Sequence, residues 1–449
     1  MKIIVHNPQT VKEKILAGAL LPVRPLLPDA LIESWCRAAG HQWRERLWGP
    51  AVTFWACVWK QLNSGLSARE LADWLAAFYS TPAELIAQDR DGSAFCQARL
   101  RLPEEVFLQA FRHVGAQAAE RGGRWWRSLR VGIVDGSTMR TPRTMANQAG
   151  FGGPRNQWGP SGFPLVRVLL WVCAGSGAVL QAAVGPYWFS EVRLFVEQVR
   201  SWPSGWLIIG DTAFGSYLNV ALLRQRGSHG LFPLSGSRRQ ACVRRLGQGD
   251  EIHLWRRPHL PTSAFPELLA LLPTSFEMRR ITWEIRRRGY RPWRLELCTT
   301  LLDPQLYPAV ELVELYLQRW HIELDLRSLK SGMALTALSG KTPGVVRKEI
   351  WAGLTAWNLL RAVMAEAGVP RELSSERARV LLVNTTHQMM RAPTLLLPYL
   401  YRQMRALISS TRLEAQERLP EPRAIVARNR RYPELKISRL QWRVIYEVA

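Results

Sequence analysis

Three carboxylates carry the chemistry legible in this sequence: Asp135 in VGIVDGST, Asp211 in WLIIGDTAFG and Glu323 in LYLQRWHIELDLRSLKSG. Hard divalent cations such as Mg2+ take carboxylate oxygens and keep positions open for phosphate oxygens. Two such ions about 4 Å apart clamp the attacking and leaving oxygens of an in-line phosphoryl displacement. A phosphodiester brings further negative charge, so a site of this kind also needs cations against it. The segment around Glu323 supplies them. Read as one helix from Glu311 to Gly332, at about 100° per residue, it gathers Tyr316, Arg319, Glu323 and Lys330 on a face roughly 60° wide. Leu315, Leu317, Leu324 and Leu326 point elsewhere and can anchor the helix in a core.

Each acid alone has an ordinary structural use. Asp135-Gly136 is a common turn dipeptide, Asp211 suits a helix N-cap, and Glu323 beside Arg319 suits an ion pair on a solvated face. The order of the three and the basic chain around them favour a joint role in binding metal.

The elements that must position these residues can be read in outline. Residues 1–127 read as helical, with capping-box patterns at Ser67-Ala68-Arg69-Glu70 and Thr81-Pro82-Ala83-Glu84. Their basic and aromatic composition suits a DNA-binding domain as well as plain helical packing. From Trp125 the pattern becomes strand-like. A first strand ends at Asp135-Gly136-Ser137, and an Arg-bearing Gly, Pro and Asn-rich loop spans residues 141–162. A strand pair follows around Gly175-Ser176-Gly177, then a helix from about Ser190 to Ser201, then an apolar strand ending at Asp211. Residues from about 230 to 300 alternate in short runs with basic faces, as an antiparallel β segment does. The glutamate helix and another strongly amphipathic helix come next, and the chain ends in a basic tail.

The 449 residues, 47% hydrophobic and 21% charged, describe a globular chain of several domains. A net charge of +24, carried mainly by arginine, points to a polyanionic partner. The N-terminus lacks the apolar run of a signal peptide. The most apolar stretch, residues 165–184, is interrupted by Arg167 and a Gly-Ser-Gly turn, so DNA is favoured over a membrane. The six cysteines are scattered without a C-x-x-C pair, which fits a reducing cytoplasm and argues against a zinc finger.

VDGST around Asp135, IIGDTAFGSY around Asp211, and the Y-x2-R-x3-E-x6-K spacing of Tyr316, Arg319, Glu323 and Lys330 resemble the bacterial DDE transposases of insertion sequences, specifically the insertion-sequence-4-like family. The resemblance covers roughly residues 90–435. It implies an α/β fold with an RNase H-like catalytic core, interrupted by a β-strand insertion domain between Asp211 and Glu323 and flanked by helical N- and C-terminal regions. The expected boundaries are 1–127 for the N-terminal domain, 128–228 for the first part of the core, 229–300 for the insertion, 301–368 for the second part of the core and 369–449 for the C-terminal region. The implied activity is cut-and-paste DNA transposition, by cleavage and strand transfer with two Mg2+ ions (Mn2+ substituting) on Asp135, Asp211 and Glu323, through a DNA hairpin. Tyr316, Arg319 and Lys330 would hold DNA phosphates. A flipped base would stack on Trp293 or Trp320, each of which has core packing as its other reading. The implied partners are double-stranded DNA at terminal inverted repeats and target, and a second protomer in a synaptic complex. The implied location is the bacterial cytoplasm, at the nucleoid. One departure is Thr212, where these enzymes often carry arginine, and it removes a phosphate contact expected there. A nuclease on the same core that cuts without integrating, or a domesticated DNA-binding protein, is the alternative that the residues leave open.

Overall fold

Strand geometry starts with Val131, Ile133 and Leu207, Ile209, which alternate with Gly132, Val134 and Ile208 and so give two apolar faces to one sheet. A computed structural model describes residues 22–44, 47–78, 92–122, 125–157, 159–160, 162–234, 241–259, 265–285 and 293–413, with isolated positions at 437, 438, 441 and 444. Among the described residues, five α-helices come first: α1 (Asp29–Ala38), α2 (Pro50–Leu62), α3 (Ala68–Phe78), α4 (Ser93–Arg101) and α5 (Glu104–Gly122). The capping box at α3 forms as expected. Ser67 N–H donates to Glu70 Oε2 at 2.6 Å and Glu70 N–H to Ser67 Oγ at 3.1 Å. The second pattern, Thr81 to Glu84, lies outside the described residues.

The strands are β1 (Trp125–Trp126), β2 (Leu129–Arg140), β3 (Arg155–Asn156), β4 (Gly159–Pro160), β5 (Leu165–Cys173), β6 (Val179–Pro186), β7 (Trp206–Ile209), β8 (His229–Pro233), β9 (Cys242–Gly247), β10 (Asp250–Arg256), β11 (Ser275–Ile285) and β12 (Trp293–Thr299). Ten of them make one sheet, in the order β6-β5-β2-β7-β8-β12-β11-β10-β9, with β1 beside β2. β5 is antiparallel to both of its neighbours, β2 and β6, whereas β7 and β8 run parallel to β2. The helices between them are α6 (Met145–Phe151), α7 (Glu191–Val199), α8 (Tyr217–Gln225) and α9 (Pro266–Ala270). After the sheet come α10 (Ala309–Leu317), α11 (Trp320–Gly332), α12 (Pro343–Ala367), α13 (Ser375–Arg391) and α14 (Leu397–Ser409).

One sheet face, with Val131, Ile133, Leu207 and Ile209, joins the large core that takes in α2, α5 and α10 to α14. The other, with Val134 and Ile208, packs under α7 and α8. α12 is buried on every side, including Lys348, Glu349, Asn358 and Arg361, and so is the central post of the helical layer. Asn358 accepts from Val179 N–H and donates to Val179 C=O, both at 2.8 Å, which satisfies backbone on the edge strand β6.

The structure revises four expectations. β2 does not stop at Asp135. It continues to Arg140 because its pairing with β5 runs on to Leu165. The loop at 141–162 contains α6, whose N-cap Thr144 accepts from Asn147 N–H at 3.1 Å. The boundary at 229 cuts off β8, which pairs in parallel with β7, and β12 then pairs with β8, so the insertion strands extend the core sheet. The helix expected from Glu311 to Gly332 is two helices. At Gln318 and Arg319 the backbone hydrogen bonds tighten to the third preceding carbonyl, which interrupts the α-helical ladder between α10 and α11. Residues 414–436, which include most of the basic tail, lie outside the described residues.

Candidate DNA-processing site

The parallel register of β2 and β7 sets the first two acids. The last paired residues are Ile133 and Ile209. Asp135 and Asp211 each follow two residues later, Asp135 still within β2 and Asp211 just past the end of β7. Backbone amides orient both carboxylates. Gly136 N–H donates to Asp135 Oδ1 at 2.9 Å, and Ala213 N–H donates to Asp211 Oδ1 at 2.8 Å.

Glu323 arrives in the first turn of α11. Ile322, Leu326 and Leu329 bury the inner face of this helix in the same core that Ile133 and Ile209 enter. Arg319, at the junction of α10 and α11, donates to Glu323 Oε1 at 3.1 Å. It also hydrogen-bonds to Tyr316 and lies within electrostatic reach of Asp135. Burial opposes the charge on Arg319, but Tyr316, Glu323 and Asp135 outweigh it and raise its pKa. Tyr316 is only 7% exposed, and its phenol is pushed up by burial, with Arg319 opposing. The hydroxyl therefore braces Arg319, and through it Glu323. Lys330 reaches β2, where its Nζ donates to Ser137 Oγ at 3.1 Å. The broken helix thus still brings Tyr316, Arg319, Glu323 and Lys330 to the end of β2 that carries Asp135.

Asp135 is pushed up to about 6, first by burial and then by the negative charges of Asp211 and Glu191, against the Gly136 N–H and Arg319. Glu191 is the residue that sequence reading missed. It opens α7 after its N-cap Ser190 and forms an ion pair with Arg167 at 3.3 Å. Burial and then Asp211 bear on its carboxyl, which is raised despite Arg167. A Cβ at residue 136 would come within 2.1 Å of the Glu191 carboxyl carbon, so glycine there is what lets this fourth acid approach. The only advance signal was Ser190-Glu191 at a helix start, a pattern shared by many helices. The side chains of Trp293 and Trp320 lie outside the described residues. Their backbones open β12 and α11 respectively.

Asp135, Asp211 and Glu191 lie within electrostatic reach of one another, and Arg319 links Glu323 to them; carboxylate oxygens are the ligand type that hard divalent cations take. The family described as "Transposase DDE domain" matches residues 126–359, just over half of the chain and all of this cluster. The chain belongs to the DDE transposase family. It is 26% identical, over 353 residues, to the transposase InsG for insertion sequence element IS4 of Escherichia coli (strain K12), covering 76% of this chain and 78% of that relative. Among solved structures it resembles a piggyBac transposase synaptic complex with hairpin DNA, at 11% identity and a TM-score of 0.40, over 90% of this chain and 86% of that one. Among this transposase's described residues no helix is long and apolar enough to cross a membrane.

Proposed function

We propose that this chain catalyses cut-and-paste transposition of an insertion sequence, with Asp135, Asp211 and Glu323 as its catalytic acids. The single observation that supports the reading is the β2–β7 register, whose last pair, Ile133 and Ile209, lies two residues before Asp135 and Asp211, while the helix that carries Glu323 packs into the same core as that pair. The core is RNase H-like in this reading. Its support is the order β6-β5-β2-β7-β8, with three antiparallel strands followed by two parallel to the first, and an acid on the central strand.

The three carboxylates would hold two Mg2+ ions, and Mn2+ in their place. Metal bound there supplies Lewis-acid polarisation of the scissile phosphodiester and an activated attacking oxygen. The protein's own groups do the rest. Arg319 holds the Glu323 carboxylate and offers cationic charge where phosphate charge develops. Tyr316 fixes Arg319, and Lys330 places a second cation beside Ser137. On this reading water cuts at the element end and frees a 3′-OH. That hydroxyl attacks the opposite strand to close a hairpin, the hairpin is reopened, and the 3′-OH then attacks target DNA. Double-stranded DNA at the terminal repeats and the target is the substrate, and two protomers pair the two ends. Arg44, Arg101, Trp43 and Trp48 line a cleft of about 860 Å3 in the N-terminal helices, a basic and aromatic surface suited to a DNA end. The reading places the chain in the bacterial cytoplasm, where its DNA substrate lies.

Incubation with Mg2+, a donor fragment carrying the element's terminal inverted repeats and a second plasmid separates transposition from simple cutting. Covalent joining of the excised ends to the plasmid is expected. Cleavage without joined product would overturn the transposase reading.

The raised Asp135 pKa gives a second expectation. A carboxyl whose folded pKa, about 6, lies above its reference value of 3.8 destabilises the fold as it ionises. The penalty is absent below pH 3.8, grows between 3.8 and about 6, and is complete above. Asp135→Asn should therefore stabilise the metal-free protein at pH 7.5 by about 1–2 kcal/mol, after allowance for solvent screening. The gain should vanish toward pH 4, and Mg2+ should raise the melting temperature of the wild type more than that of the variant. An Asn variant no more stable than the wild type at pH 7.5 would contradict the burial argument.

A further inference from the structure

Remote from the three acids in the chain, the hairpin β9–β10 brings together a thiol, a carboxylate and an imidazole. One ligand atom from each of Cys242, Glu251 and His253 lies within 4.8 Å of the other two. Glu251 and His253 stand two apart on β10 and so share a face. Cys242 reaches that face through a bulge. Ile252 pairs with Arg244, so unbroken pairing would set Val243 opposite His253. The register instead slips, and Cys242 takes that place. An extra residue in an edge strand thus re-aims the thiol onto the imidazole.

We infer that Cys242, Glu251 and His253 form a binding site for a borderline transition-metal ion of the zinc class, distinct from the catalytic acids. The donor set decides the metal class. Thiolate and imidazole select zinc, cobalt or nickel, whereas the all-oxygen set of Asp135, Asp211 and Glu323 suits Mg2+. The charges also balance, since a thiolate and a carboxylate neutralise a divalent ion while the imidazole stays neutral. His253 Nε2 lies 3.0 Å from Glu251 Oε2, so the two side chains already converge. His253 is 5% exposed and so already fixed in place, while Cys242 is exposed and open to an entering ion. Three protein ligands leave a fourth tetrahedral position for water.

The consequence is mechanical. β9 ends the sheet, pairs with β10 alone among the described strands, and is exposed over most of its length. A metal bridge from Cys242 to His253 and Glu251 pins this edge and fixes the backbone that carries Arg244 and Arg245. It acts whether or not the acids perform transposition.

Cobalt reports the site directly, because only a thiolate ligand gives a sulfur-to-cobalt charge-transfer band. Purified, metal-stripped full-length protein titrated with Co2+ should develop that near-ultraviolet band, saturating at one ion per chain, and Zn2+ should bleach it. Cys242→Ser, a near-isosteric change at an exposed position, should abolish the band and raise the Zn2+ dissociation constant by more than about 100-fold, since even changes outside the ligand shell cost about 10–100-fold. Glu251→Gln should shift and weaken the band. Asp211→Ala should leave it intact, which keeps this test separate from that of the catalytic acids. No band in the wild type, or a band that survives Cys242→Ser, would overturn the inference.

Discussion

Asp211→Ala should lower Mg2+-dependent strand cleavage by at least about 10^3-fold, equivalent to at least about 4 kcal/mol of transition-state stabilisation. Binding of the transposon end should change little. The structure explains why the two effects separate. Asp211 leaves the sheet just beyond Ile209, and its carboxylate accepts one backbone amide, from Ala213, within its own turn. Alanine there removes a short local contact and leaves the apolar pairing of β7 intact. Glu323→Ala should behave similarly for a different reason. Its partner Arg319 keeps Tyr316 as an acceptor, so the cation stays in place while the carboxylate is lost. Cleavage assays on labelled end fragments, run beside gel-shift binding, check both variants. A variant that still cut at near wild-type rate would remove its residue from the proposed catalytic set. Equal loss of binding and cleavage would mean that the change had damaged the fold or the DNA grip instead.

The sequence carried the site further than it carried the frame. Asp135 and Asp211 stood out because each follows an apolar run, although only β7 ends there and β2 runs on to Arg140. Their lateral match was not legible. It depends on β2 and β7 pairing in parallel, a register set by side chains far apart in sequence. The face shared by Tyr316, Arg319, Glu323 and Lys330 was legible from a helical period, yet the turn at Gln318 and Arg319 was not, because no Pro or Gly marks it. Arg319 still meets Glu323, and Lys330 finds Ser137 on β2. Glu191 escaped notice because its role comes from a helix packed on the opposite sheet face, visible only through the gap left by Gly136. Cys242, Glu251 and His253 escaped for a related reason. A cross-strand bulge has no sequence spacing of its own, so a search for paired cysteines passes over it.

The largest loss of stability is expected at Glu349, which anchors the segment leaving the glutamate helix. Glu349 sits on the central helix α12 with its side chain 3% exposed, opposite Lys60 of α2 at 3.3 Å. Two charges buried together recover their desolvation only when every other polar contact is made. Here those contacts exist. The carboxylate accepts from Ser339 N–H at 2.9 Å, Gly340 N–H at 2.9 Å and Ser339 Oγ at 2.9 Å, and Lys60 Nζ also donates to Ser339 Oγ at 3.0 Å. Leu338 N–H, one residue earlier, donates to Arg140 C=O at the end of β2. The chain leaving α11 is thus tied both to α12 and to the strand that carries Asp135. Glu349→Ala would strand a buried ammonium and two buried amides, and should cost about 3–5 kcal/mol. Glu349→Gln, which keeps an acceptor and loses the charge, should cost less. Lys60→Met combined with Glu349→Leu should be less destabilising than the sum of the two single changes, because no lone charge remains. Urea denaturation of the five variants measures each term. Strict additivity in the double variant would show that the pair is uncoupled and that the loop, not the ion pair, accounts for the loss.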